Sequence, residues 1–424
     1  MKKGVSVLLL FLCALSLGAQ QNYDDISLKI AVFGPSDKVF IWWGHAALIV
    51  ENTRWKYSRI FDWGIFSYPS ENFLWDFVRD QVRYRCRAGS YDLSEYVDDD
   101  RDIYVYTLDL DAAGKEAVLN YAENAVLPEN CYYDYHEFRN NCSTGVRDVI
   151  DIATGGKLKS WAASEPGRFS FRQQARRFTW HNPAADWFLD FLMGQNLDGP
   201  LTVWDEMFLP AEIARVITDF RLTGPSGEER KLVSSIEILN QTKTRNPIVQ
   251  EPFDRTLPSL VLGCLLAGLF VYLDAARKKF PRAGSIAWGT AMSLLGLVLG
   301  AGGSVLFFGR FFLNNDYIRQ NYNLLFINPL LLAAFPLGII TAMRKPLFLG
   351  DSPSRAESFL RLLWTYVFIA CALTVVMKAL PLFSQQNQAV QAFILPVAWV
   401  LGYTPQVWNC QNGMCLLKNF FSRS

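Results

Sequence analysis

The stretch Asn140-Asn141-Cys142-Ser143-Thr144, continued by Gly145-Val146-Arg147-Asp148-Val149-Ile150-Asp151, decides how this chain is read. Val146, Val149, Ile150 and Ala153 recur at helical spacing. The small polar residues at 141–144 mark the helix N-terminus, with Cys142 in or beside the first turn. The partial positive charge at a helix start favours the thiolate, the nucleophilic form of cysteine. On its own, a cysteine in such a place is most often a half-buried structural thiol or half of a disulfide. His45 changes that balance. It is one of only three histidines in the chain, and it lies in the strand-like run Trp42-Trp43-Gly44-His45-Ala46-Ala47-Leu48-Ile49-Val50. A Cys/His pair is a working acyl-transfer unit when the fold brings the two together.

Working outward, residues 38–50 and 57–68 are rich in strand formers, and Asn52-Thr53-Arg54-Trp55 is the turn between them. A hairpin centred near 53 and 54 sets Asp62 opposite His45 on the same face, where a carboxylate can orient the imidazole. A one-residue slip would return Asp62 to an ordinary surface or turn carboxylate. Residues 103–110 alternate as a further strand. Residues 112–126 read as a helix capped by Asp111 and ended by Pro128-Glu129-Asn130. His136 is so close to Cys142 in sequence that a helical path carries it away along the axis. His181, in Trp180-His181-Asn182-Pro183, reads as a turn residue. Both are weaker base candidates than His45.

The chain has 424 residues and a net charge of +1, from 41 basic and 40 acidic side chains, so nothing in it points to a nucleic-acid partner. Its hydrophobic content of 51% is unevenly spread: residues 21–256 read as soluble protein, and apolar runs dominate from Leu257 onward. Met1-Lys2-Lys3-Gly4 followed by the short apolar core Val5 to Leu17 has the form of a signal peptide ending near Ala19. That core is shorter than the ~20 apolar residues needed to span. Four runs are long enough to cross a membrane, at about 258–275, 284–308, 324–343 and 359–377. A weaker fifth at about 389–403 is broken by Pro396. Arg277, Lys278, Lys279 and Arg282 follow the first run, and Arg344, Lys345, Arg355 and Arg361 surround the third-to-fourth connection. The alternate loops hold Arg310, Arg319 and Lys378. The positive-inside rule then puts the soluble head outside the cytoplasm, in agreement with the signal peptide.

Eight cysteines divide accordingly. Cys13 leaves with the signal peptide, and Cys264 and Cys371 sit in apolar runs as small hydrophobes. Cys86 and Cys131 lie in the head, where a disulfide is permitted but not shown by the sequence. Cys410 and Cys415 flank a turn-like insert, and their state depends on the side of the membrane the tail occupies. No cysteine pair has zinc-ligand spacing beside a histidine, so no metal is expected.

The head resembles a known family at this point. Trp43-Gly44-His45-Ala46-Ala47-Leu48, Phe61-Asp62-Trp63-Gly64-Ile65-Phe66 and Tyr135 to Asp148 are similar to the Lnb N-terminal periplasmic domain, with Phe171-Arg172 and Trp204 to Pro210 following in order. The resemblance covers about 30–220, and the membrane part, with Asn321-Tyr322-Asn323 and Asn328-Pro329, has the arrangement of the same proteins. It implies an α+β head of the permuted papain-like, NlpC/LRAT type, residues 20–250, fused to a polytopic α-helical membrane domain, residues 251–424. Carried over residue by residue, Cys142 is the nucleophile, His45 the base, and Asp62 stands where the family tends to have Asn or Asp. The implied activity is lipoprotein N-acyl transfer at the inner membrane, without a cofactor, from a phospholipid donor to a bacterial lipoprotein acceptor. Rival readings are an NlpC-type cell-wall peptidase or amidase, a phospholipase, and a membrane-tethered module that has lost its activity. A wall hydrolase needs only an anchor, and several spans argue against it.

Overall fold

The computed structural model describes residues 23–66, 83–223, 227–313, 316–344 and 354–407. The signal-peptide candidate, Phe73, Cys410 and Cys415 lie outside the described residues. The described chain forms two compact units, one of residues 23–66, 83–168 and 201–245 and the other of residues 169–200 and 246–407.

The first unit is mixed α+β. Seven strands, β1 (Ile26–Phe33), β2 (His45–Asn52), β3 (Tyr57–Phe66), β4 (Arg83–Ser90), β5 (Ile103–Leu108), β6 (Tyr132–Asp134) and β7 (Val233–Asn240), form one antiparallel sheet in the order β6-β4-β3-β2-β1-β5-β7. β1 and β2 are its most buried members because the period-2 alternation sends apolar side chains to both faces. Leu28, Ile30, Val32, Ala46 and Leu48 face the main core, while Ala31, Phe33, Ala47 and Ile49 face a smaller one with Ile103 and Val105. Each fully buried Leu or Ile contributes about 1.5–3 kcal/mol. The main core is closed by helix α1 (Ala112–Ala125), helix α2 (Cys142–Ala153) and the helix Pro210–Asp219, through Val118, Val146, Val149, Ile150, Ile213 and Val216.

Several expectations meet the structure directly. Asp111 caps α1, its side chain accepting from the Gly114 N–H at 2.8 Å. The 38–50 run differs: Val39–Ile41 is a single 3-10 turn, and the strand begins only at His45. The hairpin register differs as well. Leu48 pairs with Phe61 and Ile49 with Ile60, so the continued register puts Gly64, not Asp62, opposite His45. The shift is by two residues, which preserves parity and leaves Asp62 on the face of His45. The turn residues are 53–56 instead of 52–55, one position later, with Lys56 at a positive φ.

The second unit holds three helices long and apolar enough to cross a membrane: Thr256–Lys279, Pro281–Phe312 and Arg355–Met377. The run expected at 324–343 is divided, with 3-10 turns at Tyr322–Leu325 and Pro329–Ala333 before the ten-residue helix Ala334–Met343. Asn328 and Pro329 account for the break, because the Asn328 side chain accepts from the Leu330 N–H and proline supplies no donor. Gly289, Gly296, Gly300 and Gly303 bring the second long helix against Gly338, Ala334, Leu332 and Asn328, the small-residue contact typical of membrane helices. Gln388–Val407 is a further helix, apolar over 388–403. Residues 169–200 pack within this unit, Phe191 joining the core of Phe270, Trp288, Phe326 and Trp364.

Candidate active site

Helix α2 begins at Cys142 because Asn141 stops the preceding chain and caps the helix. The Asn141 side-chain oxygen accepts from the Thr144 N–H at 2.9 Å, and the Thr144 hydroxyl accepts from the Asn141 N–H at 2.7 Å. This reciprocal pair satisfies two of the donors that a helix start leaves open. The Asn141 amide also donates to the carbonyls of Glu137 at 2.7 Å and Phe208 at 3.1 Å. The segment Trp204 to Pro210 thereby buttresses the helix start. Its own Glu206 is fully buried and held by the Arg168 N–H at 2.8 Å and the Arg215 guanidinium at 3.3 Å.

Two glycines set how closely α2 approaches the sheet. A Cβ on Gly145 would come within 2.8 Å of the Trp63 ring, so the helix rests directly on β3. A Cβ on Gly64 would lie 2.4 Å from Cε1 of His45, so the imidazole occupies the space above a bare backbone. From there it reaches diagonally to Asp62. His45 Nε2 lies 3.0 Å from Asp62 Oδ1, and the same carboxylate oxygen accepts the Gly64 N–H at 2.6 Å. With Nε2 engaged, the Nδ1 edge is left for Cys142, with which His45 also shares a hydrogen bond. The Ala46 N–H donates to the Cys142 sulfur. All three residues singled out in the sequence are therefore in one contact chain.

The electrostatics of this chain favour charge separation. Burial opposes a charged imidazole, but the Asp62 carboxylate and the Cys142 sulfur outweigh it and hold His45 well above the ordinary histidine value. Burial likewise opposes the thiolate, and the neighbouring His45 charge outweighs it, bringing Cys142 below the ordinary thiol value. For Asp62, burial is overcome by the His45 charge and the Gly64 N–H, and its carboxyl titrates low. Both shifts run in the direction of a thiolate–imidazolium pair, with the carboxylate placed to orient the imidazole.

The other two histidines are elsewhere employed. His136 closes the turn before α2: its N–H donates to the Asn140 carbonyl at 2.9 Å, and its Nδ1 accepts from the Phe138 N–H at 3.1 Å. His181 is exposed in the second unit. Sequence reasoning missed the tyrosines around the sulfur. Tyr135 stacks on Tyr84 with ring centroids 3.9 Å apart, and the Tyr133 hydroxyl donates to the Trp63 carbonyl. Burial, with the charge of Cys142 adding to it, keeps the Tyr133 and Tyr135 phenols protonated. Their spacing, Tyr132-Tyr133-Asp134-Tyr135, reads as a strand entering the site, and β6 is that strand. Among the described residues no group of three His, Cys, Asp or Glu side chains is placed to hold a metal.

Residues 18–179 match the family model described as the Lnb N-terminal periplasmic domain. That segment contains Cys142, His45 and Asp62. No curated protein and no solved structure matches the chain.

Proposed function

We propose that this chain is a membrane-bound lipoprotein N-acyltransferase that works through a thioester on Cys142. The observation that carries this reading is the Cys142–His45–Asp62 contact chain inside the segment matching the Lnb domain, in a protein that also has helices fit to cross a membrane. In the first half-reaction the Cys142 thiolate attacks an ester carbonyl of a phospholipid. The His45 imidazolium gives its proton to the departing glycerol oxygen, releasing a lysolipid and leaving the acyl group on sulfur. In the second, the α-amine of an S-diacylglyceryl cysteine attacks the thioester. His45 takes the amine proton, and the thiolate leaves. Backbone N–H groups in the first turn of α2 are positioned to receive the oxyanion of both tetrahedral intermediates.

The amine has a reference pKa of ~7.7–8.0 and is partly neutral near pH 7, which suits it as the acceptor. Donor and acceptor both carry acyl chains, and confining them to one bilayer turns a bimolecular encounter into a positioned one. On this reading residues 1–19 are a signal peptide, 20–250 the catalytic domain on the periplasmic side, and 251–424 an inner-membrane domain of four or five spans. The histidine-before-cysteine order is that of the permuted papain-like enzymes.

Expression in bacteria lacking lipoprotein N-acylation, with mass spectrometry of lipoprotein N-termini, tests the proposal. Triacylated N-termini are expected with the wild-type chain and absent with Cys142→Ala. With purified full-length protein, free fatty acid released from phospholipid at a rate indifferent to added lipopeptide would mark a phospholipase instead. Cleavage of wall peptides without effect on phospholipid would mark the peptidase.

A further inference from the structure

The pairing of β4 with β6 places two cysteines opposite one another. Arg83 pairs with Asp134, Tyr84 with Tyr133 and Arg85 with Tyr132, so the next rung sets Cys86 against Cys131. Half of that rung is made: the Cys86 N–H donates to the Cys131 carbonyl at 2.8 Å, while the Cys131 N–H donates to the Leu127 carbonyl at 2.8 Å and its thiol, unbonded like that of Cys86 in this structure, turns to the Pro128 carbonyl at 3.7 Å. Alternation puts this pair on the same face as Tyr84 and Tyr133, whose rings meet at 6.2 Å across the two strands. Directly opposed residues of antiparallel strands have Cα atoms about 4.5–5.5 Å apart. That lies inside the ~4.4–6.8 Å window in which two cysteines can be bridged. Both side chains are buried, at 4% and 9% exposure, so neither is placed to serve as a surface thiol.

We propose that Cys86 and Cys131 are joined as a disulfide in the exported protein, which leaves Cys142 as the reactive thiol of the first unit. Each Sγ–H gives up a proton, and the pair gives up two electrons to the disulfide of an extracytoplasmic dithiol oxidant, which is reduced to two thiols through a mixed disulfide. Timing follows from burial. Once the strands close, Cys86 is shut in apolar surroundings, and that burial pushes its thiol up to about 12. The bond therefore forms while the chain folds after export, and a head folded in the reduced state resists oxidation. Two consequences bear on the site. The tie fixes β4, whose Arg87 pairs with Asp62, to the strand that leads into Cys142. It also removes the two other described thiols of this unit from competition with the nucleophile in an oxidising compartment. The inference uses only the extracytoplasmic placement of the head, not acyl transfer.

The test is peptide mapping of the full-length protein taken from membranes, with thiols trapped by N-ethylmaleimide in denaturant and no reductant added. A linked Cys86–Cys131 peptide is expected, with Cys142 alkylated. Both Cys86 and Cys131 recovered alkylated would overturn the proposal. The double variant Cys86→Ala, Cys131→Ala should lower the thermal midpoint by about 5–15 °C. Reduced wild-type protein should match it, and an unchanged midpoint on reduction would count against a structural tie. N-acyl transfer by a protein with both thiols free would sink the disulfide and leave the acyltransferase reading standing. A linked peptide without transfer would do the reverse.

Discussion

Each unit of the molecule buries a cluster of charged side chains, and the two clusters are built to opposite ends. In the first unit, Cys142, His45 and Asp62 are titratable groups joined in a single line, with His45 bonded to Asp62 on one side and to Cys142 on the other. In the second, fully buried Arg172 has every donor engaged. It donates to the Asp190 carboxylate at 2.9 Å and carbonyl at 2.7 Å, to the carbonyls of Met193 and Gly194, and to both oxygens of Asp198. Guanidinium cannot be deprotonated in a protein, so this cluster has nothing to transfer. Asp198 also accepts the Gln386 N–H, and Asn321 donates to the Phe191 and Leu192 carbonyls, which ties three distant chain segments together. Saturation with permanent charge marks a clamp. A short line of titratable groups with shifted affinities marks a site of chemistry.

That contrast can be broken from either side. The largest effect is expected from Cys142→Ala or His45→Ala: N-acyl transfer falls to background, a loss of at least about 10⁴-fold, while expression and thermal midpoint stay near wild type. Arg172→Met should do the opposite. Removing one partner of a buried ion pair costs about 3–5 kcal/mol, which will show as a collapse in the yield and melting temperature of full-length protein. A folded, stable Arg172→Met variant with impaired transfer would erase the distinction between the clusters.

Gly64→Ala sharpens the comparison at the site itself. The new Cβ must displace the imidazole, and a misplacement on the order of 1 Å costs about 10²-fold in rate, measured as transfer at unchanged protein level. Next comes the pH profile. Activity rises with pH as Cys142 loses its proton, below the ordinary thiol value, and falls as His45 loses its own, well above the ordinary histidine value. Asp62→Asn removes the carboxylate that supports the imidazolium, so the alkaline limb should move down by about 1–3 pH units. An alkaline limb that stays put would show that Asp62 does not act on His45. The smallest effect is expected from Asn141→Ala, about 1 kcal/mol of stability for a lost cap, read from thermal denaturation.

Much of the site is legible in the sequence because its signals are local. Cys142 stands out through the apolar spacing of Val146, Val149 and Ile150 and the capping residues ahead of it. The Asp111 cap and α1 follow from the same kind of signal. The strands are harder to read. Ile26–Phe33, which lies between β2 and β5, alternates from Ile26 to Ile30 and is apolar on both faces from Ile30 to Phe33, a mixed pattern that sequence reasoning passed over. β6 and β7 sit at the two edges of the sheet, each defined by one partner far away in sequence, and β4, internal and eight residues long, is obscure because its run Arg83-Tyr84-Arg85-Cys86-Arg87-Ala88-Gly89-Ser90 is mostly polar.

By itself the sequence singled out Cys142, His45 and Asp62 and the presence of apolar helices, all properties that residue type and short-range periodicity carry. Only the tertiary structure decided how those residues meet. The register that puts Gly64 opposite His45 depends on the turn falling at 53–56, one residue later than the sequence suggests. The approach of α2 to Trp63 depends on a missing side chain at Gly145, and the opposition of Cys86 to Cys131 on a strand pairing that spans α1. The division of the 324–343 run depends on where Asn328 finds its hydrogen bonds. The approach of α2 and the opposition of the cysteines turn on contacts between segments distant in the chain, whereas the turn and the Asn328–Leu330 bond are local details that apolar periodicity does not report.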